Sequence, residues 1–187
     1  PLSAGFDLFL TNREFEEYDY ASLGGGVRLS HPFAEYWRWH TGYRLSRDDV
    51  SDVSDTASQD LQDEEGVRVT SVISGTITRD RRDNILTPSR GGFTTFNVDF
   101  AGLGGDSRFV KTIASTSYFK PIWFDHIVSG RVEAGWAVSW SNDPVPLFER
   151  FYLGGPNTLR MFKFREVSPE DDTGERTGGT SEVLGNF

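Results

Sequence analysis

The chain has 187 residues, carries 28 acidic against 19 basic side chains for a net charge of −9, and contains no cysteine. Without cysteine it can form no disulfide, thiol nucleophile or Cys-ligated zinc site, and its three histidines lack the spacing of a helical metal site. The acidic balance argues against nucleic acid as a partner. No apolar stretch approaches the about 20 residues of a transmembrane helix, and the chain shows no signal peptide at Pro1. We therefore expect either a soluble protein or one that crosses a membrane as β-strands.

Alternation of apolar and polar residues with a period of two predicts strands along most of the chain and almost no helix. The alternation is clearest at 127–140, where Val132, Trp136 and Val138 share one face and Arg131 lies on the other. It is blurred from Arg108 to Ile122, although this segment is rich in residues that favour strands. Strands are predicted near residues 4–15, 22–32, 34–50, 66–82, 91–104, 107–122 and 125–141, with an eighth beginning at Glu182.

The predicted connections between these strands differ in length. Short turns lie at 31–33, 88–91 and 121–125, whereas the connections 51–65 and 156–181 are long and polar. Short turns on one side and long loops on the other are typical of antiparallel outer-membrane barrels.

Several features indicate that the apolar face contacts lipid rather than a protein core. Several predicted strands are 12–17 residues long, against about five or six residues in soluble sheets. The polar rows carry charges in mid-strand, such as Arg44, Asp99 and Glu133, which a water-filled barrel accommodates. Aromatic residues near strand ends, including Trp123 and Trp140, suit membrane interfaces. A soluble β-sandwich stays open on the pattern alone, because its strands alternate in the same way.

Several turns and loops resemble the motifs of one family, the Omp85 superfamily of outer-membrane barrels. The matching segments occur in the family's order and cover nearly the whole chain. The last of them is similar to the E-R-F-x-x-G-G … [VIL]-R-G-[FY] signature of the family's long sixth extracellular loop. The segments are 7–13, 24–29, 78–84 with Pro88–Gly92, Ala101–Asp106 with Phe109–Lys111, and Phe148–Gly155 with Leu159–Phe162.

The resemblance implies an all-β fold in which residues 1–187 form part of one antiparallel transmembrane β-barrel domain. The family's barrels have roughly sixteen strands, so this portion would supply about seven of them, approximately the fifth to the eleventh, with the twelfth just starting at Phe187. The long loop 156–181 would then be extracellular. The family's periplasmic POTRA domains, its early strands and its closing strands would lie outside this chain.

The resemblance also implies a function: folding and inserting β-barrel proteins into the outer membrane of a Gram-negative bacterium. The implied partners are outer-membrane lipids, unfolded outer-membrane β-barrel proteins and the lipoproteins of the assembly machine, and no cofactor or nucleic acid is implied. One alternative is a protein-translocating pore of the two-partner secretion type, whose relatives share the loop motif. The other alternative is the soluble β-sandwich as a binding module.

Within the family, the arginine of the loop motif reaches into the barrel and pairs with a carboxylate on a later strand. This role carries over to Arg160, with Phe162 packing beside it; the alternative is an arginine in solvent. Met161 stands where the family has glycine, and a positive φ there would cost roughly 1 kcal/mol or more. The motif is Leu159, Arg160, Met161 and Phe162, and the residues that could orient the loop root are Glu149, Arg150, Gly154 and Gly155.

Two further sets of polar residues have structural and chemical interpretations. The segment that holds Asp80, Arg82, Asp83, Pro88 and Gly91 is predicted to be a periplasmic turn with internal hydrogen bonds. We expect a protein that is not an enzyme, because Gly-x-Ser-x-Gly, His-Glu-x-x-His and Gly-x-x-x-x-Gly-Lys motifs do not occur. The less favoured chemical interpretations are an acid/base pair of Asp99 with Glu133, and a Ca²⁺ site, without EF-hand spacing, formed by Asp52, Asp55, Asp60 and Asp63.

Overall fold

The computed structural model describes residues 1–187 except for 16, 17, 55, 56, 58, 157, 172, 173 and 175. Strands dominate it, with one short helix α1 (Gln59–Gln62) and 3₁₀ turns at Trp123–Asp125 and Leu147–Glu149. Among the described residues, no helix has both the length and the apolar character needed to cross a membrane. The strands are β1 (Ser3–Glu14), β2 (Asp19–Ala34), β3 (Trp37–Ser51), β4 (Gly66–Asp80), β5 (Gly91–Gly105), β6 (Phe109–Pro121), β7 (Ile127–Ser139) and β8 (Ser181–Asn186).

The eight strands form one sheet in which each strand pairs with its neighbour in the chain. The order is β1-β2-β3-β4-β5-β6-β7-β8, and every pair is antiparallel. The prediction of an all-β antiparallel fold is therefore confirmed. Within the described residues the sheet is open, with β1 at one edge and β8 at the other.

One face of the sheet is apolar and uncovered. Phe96 on β5 and Trp136 on β7 belong to the rows predicted to share this face, and their side chains are 48% and 62% exposed. The described strands contain no second sheet that could pack against these side chains. The sandwich alternative is therefore wrong, since it requires a second layer over these rows.

The opposite face is polar, and part of it is covered by the connection 140–180. Phe109 of β6 is fully buried there, and Ile113 packs against the same cluster. This cover explains why the alternation was blurred between Arg108 and Ile122: the polar-face row of β6 contains apolar residues that contact a loop. The cluster unites Val72, Ala101, Phe109 and Ala137 of the sheet with Val145 and Phe151 of the connection.

The turn between β2 and β3 differs from the prediction. The chain reverses at Glu35–Tyr36, and β2 continues through the segment 31–33 that was predicted to be the turn. Proline is compatible with the strand here because the β2–β3 register shifts between Pro32 and Ala34. An irregularity of this kind removes the need for a ladder N–H, which proline lacks.

The lengths of the connections agree only partly with the prediction. The long connections 52–65 and 140–180 lie at one end of the sheet, which we call the long-loop end. Two short connections, 15–18 and 106–108, lie at that end as well. At the other end, which we call the short-turn end, the connections are 35–36, 81–90 and 122–126. The asymmetry therefore comes from two loops rather than from all of them.

The connection 81–90 is held by internal hydrogen bonds, as predicted, and several of them go to Asp83. Asp83 Oδ1 accepts hydrogen bonds from the backbone N–H groups of Asn84 (3.0 Å), Ser89 (2.9 Å) and Arg90 (3.0 Å), and its other oxygen accepts from the Ser89 hydroxyl. These donors hold the pKa of the Asp83 carboxyl well below its usual range. Gly91 closes the turn with a φ of 94°, where an added Cβ would overlap the Arg81 carbonyl.

Asp83→Asn is expected to loosen this turn, because the amide replaces one charged acceptor oxygen by an NH₂ donor. Trypsin cleavage after Arg82 and Arg90 of the full-length protein should therefore become faster. In the wild type the stabilisation by Asp83 is complete above the unfolded pKa of about 4 and is lost as the pH falls, because the folded pKa is lowered. Asp143→Asn, in an exposed part of the connection 140–180, is the control, and equal cleavage rates in the two variants would contradict the assignment.

Candidate functional site

The connection 140–180 folds back onto the polar face and carries all eight residues of the predicted loop root and loop motif. Phe151 forms an antiparallel bridge with Gly179, and Leu153 forms one with Val167, so the two arms of the connection pair with each other. The Ala137 N–H of β7 donates to the Thr180 carbonyl at 2.8 Å, which attaches one arm to the sheet. We call this connection the docked loop.

Glu149 joins the docked loop to two separate strands of the sheet. Its Oε1 accepts a hydrogen bond from Arg44 Nη2 of β3 at 2.8 Å, and its Oε2 lies 3.5 Å from Lys111 Nζ of β6. Lys111 Nζ also donates to the Glu149 carbonyl at 2.7 Å and lies 4.9 Å from the centroid of the Phe151 ring. The Glu149 and Lys111 side chains are 14% and 15% exposed, whereas Arg44 is 44% exposed, so solvent screens the bond to Arg44 more than the contact with Lys111.

Arg150 holds the docked loop together at its root. Its Nε donates to the Val145 carbonyl at 2.8 Å, and its Nη1 donates to the Thr177 carbonyl at 3.0 Å and to Asp60 Oδ2 at 2.9 Å. The side chain is 9% exposed. One buried guanidinium therefore connects the beginning of the loop, its end and helix α1 in the connection 52–65.

Gly154 and Gly155 form the corner from which the loop tip projects. Their φ angles are 113° and 99°, in the region that favours glycine. The Gly154 N–H donates to Thr158 Oγ1 at 2.8 Å, and the Gly155 N–H donates to the Phe162 carbonyl at 3.0 Å. An added Cβ on Gly154 would overlap the carbonyl of Lys163. The corner therefore fixes the position of the segment 158–163.

The loop tip lies over the polar face of β6 to β8. Arg160 is exposed, and it lines a depression together with Arg131 and Phe187. Within the part of the chain that the structure describes, Arg160 makes no ion pair, so its pairing with a carboxylate of a later strand stays a prediction. Met161 does not have a positive φ. The backbone strain considered for methionine at this position is therefore absent.

Two features of the site were not predicted. Arg165 has a φ of 60°, and its guanidinium carbon lies 3.6 Å from the centroid of the Tyr152 ring. Asp48 of β3 is 4% exposed and accepts hydrogen bonds from three hydroxyl groups. These come from Tyr20 (2.9 Å), Ser22 (2.6 Å) and Ser46 (3.0 Å). The period of two could have placed Asp48 on the polar row with Ser46, whereas nothing in the sequence separates Arg165 from the other basic residues of the loop.

The residues of the chemical alternatives do not converge. Asp99 lies opposite Lys111 on the neighbouring strand, whereas Glu133 lies two strands away and accepts from Arg131 at 2.6 Å. Among the described residues there is no group of three metal-ligating side chains. In the acidic connection, Asp60 bonds to Arg150, Asp63 accepts from Gln59, and Asp55 lies outside the described residues.

Glu64, at the end of the connection 52–65, is a buried acid in contact with the docked loop. It is 6% exposed, and its Oε1 lies 3.5 Å from Arg68 Nη1. Within the described residues its Oε2 has no hydrogen-bond partner. Burial raises the pKa of the Glu64 carboxyl, while the charges of Arg68 and Arg150 and the Leu147 N–H oppose the increase and Asp60 adds to it.

Glu64→Gln is expected to stabilise the contact between the connection 52–65 and the docked loop at neutral pH. Because the folded pKa of Glu64 is raised, the wild type is most stable below the unfolded value of 4.5 and loses stability as the pH rises through the folded value. The glutamine variant should lack this loss. Amide hydrogen exchange of residues 59–65 between about pH 4 and pH 8 measures it. Glu65→Gln, at the exposed neighbouring residue, is the control. If the Glu64 variant shows the same pH dependence of exchange as the wild type, the Glu64 carboxylate does not cause the loss of stability.

The chain is similar to known proteins along its whole length. The model of the Omp85 superfamily domain matches residues 1–187. The outer membrane protein assembly factor BamA of Nitratidesulfovibrio vulgaris is 34% identical over 95% of this chain, and BamA of Neorickettsia risticii is 30% identical over 98% of it. The sorting and assembly machinery component 50 homolog of Homo sapiens is 31% identical over 72% of this chain.

The same likeness is present in three dimensions. The crystal structure of BamA from Haemophilus ducreyi lacking POTRA domains 1-3 matches 98% of this chain with a TM-score of 0.83 at 15% identity, and the match covers 41% of that chain. The chain spans 23% and 25% of the two BamA relatives and 29% of the human relative. The match of the family model over the whole chain, with relatives at 30% identity or more, shows that the chain belongs to the Omp85 superfamily.

Proposed function

We propose that this chain is part of the barrel wall of an outer-membrane protein assembly factor, which folds and inserts β-barrel proteins into the outer membrane of a Gram-negative bacterium. The observation that carries the proposal is a single antiparallel sheet with one exposed apolar face and a loop docked on its polar face. The names of the relatives support it: two are outer membrane protein assembly factors, and the third is a sorting and assembly machinery component.

The apolar face is proposed to contact lipid acyl chains. Its side chains include Leu8, Ile77, Phe96 and Trp136, all large and all exposed. In lipid the backbone of the edge strands β1 and β8 would need partners, because an unpaired N–H or C=O costs several kcal/mol in the bilayer core. Further strands of the whole barrel would supply these partners.

The docked loop is proposed to act mechanically rather than catalytically. Glu149 and Arg150 would hold its root, Gly154 and Gly155 would set its corner, and the tip with Leu159, Arg160, Met161 and Phe162 would contact the interior of the barrel. The charge-assisted bonds at Glu149 and the three hydrogen bonds of Arg150 support this division between a fixed root and an exposed tip.

The proposed clients are unfolded outer-membrane β-barrel proteins, with lipids and the assembly lipoproteins as further partners. A client strand would be added to an open seam by main-chain hydrogen bonding, the mode of recognition known as β-augmentation. This would require no cofactor or metal. The chain described here would supply the wall and the docked loop rather than the seam.

Reconstitution tests this function. The full-length protein that contains this chain is placed in phosphatidylcholine vesicles, a urea-unfolded outer-membrane barrel protein is added, and folded client is measured by its heat-modifiable mobility on gels. We expect faster folding than in empty vesicles. Vesicles that release a soluble passenger protein without folding the barrel client would support the two-partner secretion alternative and overturn the proposal.

A further inference from the structure

The apolar face ends in arginines at the short-turn end. Along the outward row of β4, Ile73 and Ile77 are followed by Arg79, and Arg81 continues the same alternation just beyond the strand. Strand residues rise about 3.3 Å each, so Arg79 lies roughly 7 Å beyond Ile77 along the strand. This is the distance over which a membrane changes from acyl chain to headgroup.

Each of the two arginines lies over an aromatic ring. The guanidinium carbon of Arg79 is 5.4 Å from the ring centroid of Trp37, its cross-strand partner on β3. That of Arg81 is 5.4 Å from the ring centroid of Tyr36. Both arginines are exposed. The ring faces restrict each guanidinium to one side while its N–H groups remain available to a ligand.

The two guanidiniums are not neutralised by acids of the described chain. No salt bridge within 4 Å involves Arg79 or Arg81 among the described residues. Glu35, the residue before Tyr36 in the sequence, is hydrogen-bonded to the Tyr36 side chain. Two unpaired guanidiniums on adjacent outward positions match the geometry in which arginine binds phosphate oxygens.

The two connections that flank β4 differ in charge. The connection 81–90 contains three arginines and one aspartate, whereas the connection 52–65 contains six acidic and no basic residues. Exposed apolar and aromatic side chains lie in the strand ends and connections of the same end of the sheet, as at a lipid–water interface. They are Phe33, Leu86, Trp123 and Phe124.

We infer that Arg79 and Arg81, stacked on Trp37 and Tyr36, bind the phosphodiester group of an anionic phospholipid in the leaflet at the short-turn end. The inference rests on the proposed function in one respect, namely that the apolar face contacts a bilayer. It adds a headgroup site to that contact and assigns four residues to it.

Lipid retention measures the site directly. The full-length protein is extracted from vesicles of equimolar phosphatidylcholine and phosphatidylglycerol, and the bound lipids are counted by native mass spectrometry. We expect phosphatidylglycerol to be enriched on the wild type. Arg79→Gln should lower the ratio of phosphatidylglycerol to phosphatidylcholine about fivefold, the change expected from one basic side chain at an anionic surface, and Arg79→Gln with Arg81→Gln should lower it further.

Arg38→Gln is the matched control. Arg38 follows Trp37 on β3 and pairs with Thr78, so it lies at the same depth as Arg79 but on the polar face. Its loss removes the same charge and should leave the lipid ratio unchanged. Arg79→Lys keeps the positive charge but lacks the parallel N–H donors of the guanidinium. We expect a ratio of phosphatidylglycerol to phosphatidylcholine between those of the wild type and Arg79→Gln.

The results separate this inference from the proposed function. A wild type that inserts into the vesicles and folds the client, but shows equal lipid ratios in Arg79→Gln and Arg38→Gln, would overturn the headgroup site alone. A wild type that fails to insert would overturn the membrane assignment and this site together. Insertion, client folding and a selective loss of phosphatidylglycerol in the Arg79 variant would support both.

Discussion

Glu149→Gln is expected to release the root of the docked loop from the sheet. The substitution leaves Arg44 and Lys111 facing a neutral group, while Lys111 keeps its bond to the backbone carbonyl of residue 149 and its position over the Phe151 ring. The loss of docking free energy should be about 2–3 kcal/mol, below the 3–5 kcal/mol of a fully buried pair, because the Arg44 side chain is 44% exposed.

Amide hydrogen exchange measures this release. The Phe151 N–H bonds to the Gly179 carbonyl and the Leu153 N–H bonds to the Val167 carbonyl, so both amides report on the docked state. Their protection should fall by roughly 30- to 150-fold, since every 1.4 kcal/mol is a factor of ten.

A second ion pair of the same loop provides the control for Glu149. Glu170 and Arg176 lie 3.8 Å apart, and both side chains are about half exposed. An exposed pair of this kind contributes about 0–1 kcal/mol, so Glu170→Gln should leave the two amides protected. If Glu170→Gln and Glu149→Gln lower the protection equally, Glu149 does not position the loop.

Gly154→Ala is expected to displace the loop tip. The backbone at residue 154 has a φ of 113°, and the new methyl group would overlap the Lys163 carbonyl, so the residue must change conformation. Backbone strain and overlap together should cost about 3 kcal/mol or more. The hydrogen bonds from Gly154 to Thr158 and from Gly155 to Phe162 would be lost with the corner.

Limited trypsin digestion after Arg160 and Lys163 measures this displacement. Gly174→Ala is the matched control, because Gly174 has a φ of 85° but, among the described residues, no atom within 4 Å of the added Cβ. It should therefore carry only the backbone penalty of about 1 kcal/mol and leave cleavage at the tip unchanged. Equal cleavage in the two alanine variants would show that the corner does not hold the tip.

The strands were predictable because each local pattern agreed with the whole sheet. The strand predicted at 91–104 lies at Gly91–Gly105 in the structure, and that predicted at 66–82 lies at Gly66–Asp80. In both strands, apolar residues alternate with threonine, serine and charged residues, as expected for a sheet whose two faces lie in different environments. The all-β fold and the apolar face therefore followed from the period of two.

The errors arose where long-range contacts override a local signal. Pro32 was predicted to be in a turn, since proline commonly ends strands, but a register shift allows it within β2. The face of β6 could not be assigned because Phe109 and Ile113 pack against a loop that begins some 30 residues later in the sequence. Alternation with a period of two reflects the different environments on the two faces of a strand. The alternation is lost where a loop, rather than solvent, covers one of the faces.

The candidate site was predictable as a set of residues but not as an arrangement. The loop motif and root were found by resemblance, whereas the bond from Glu149 to Arg44 joins residues 105 positions apart. Asp60 was considered as a calcium ligand, yet it pairs with Arg150 across 90 positions. No local spacing encodes such contacts, because they depend on how the docked loop crosses the sheet.

The junction at Glu149 affects the stiffness of the sheet. Its carboxylate and carbonyl contact β3 and β6 at once, so these strands cannot splay or converge without stretching a charged bond. Strands β3 to β6 should therefore move as one rigid unit when the barrel changes shape. Bending is expected to concentrate at the edge strands β1 and β8, which contribute no residue to either buried cluster. The docked loop is therefore expected to act as a brace between β3 and β6 and to determine where the barrel wall bends.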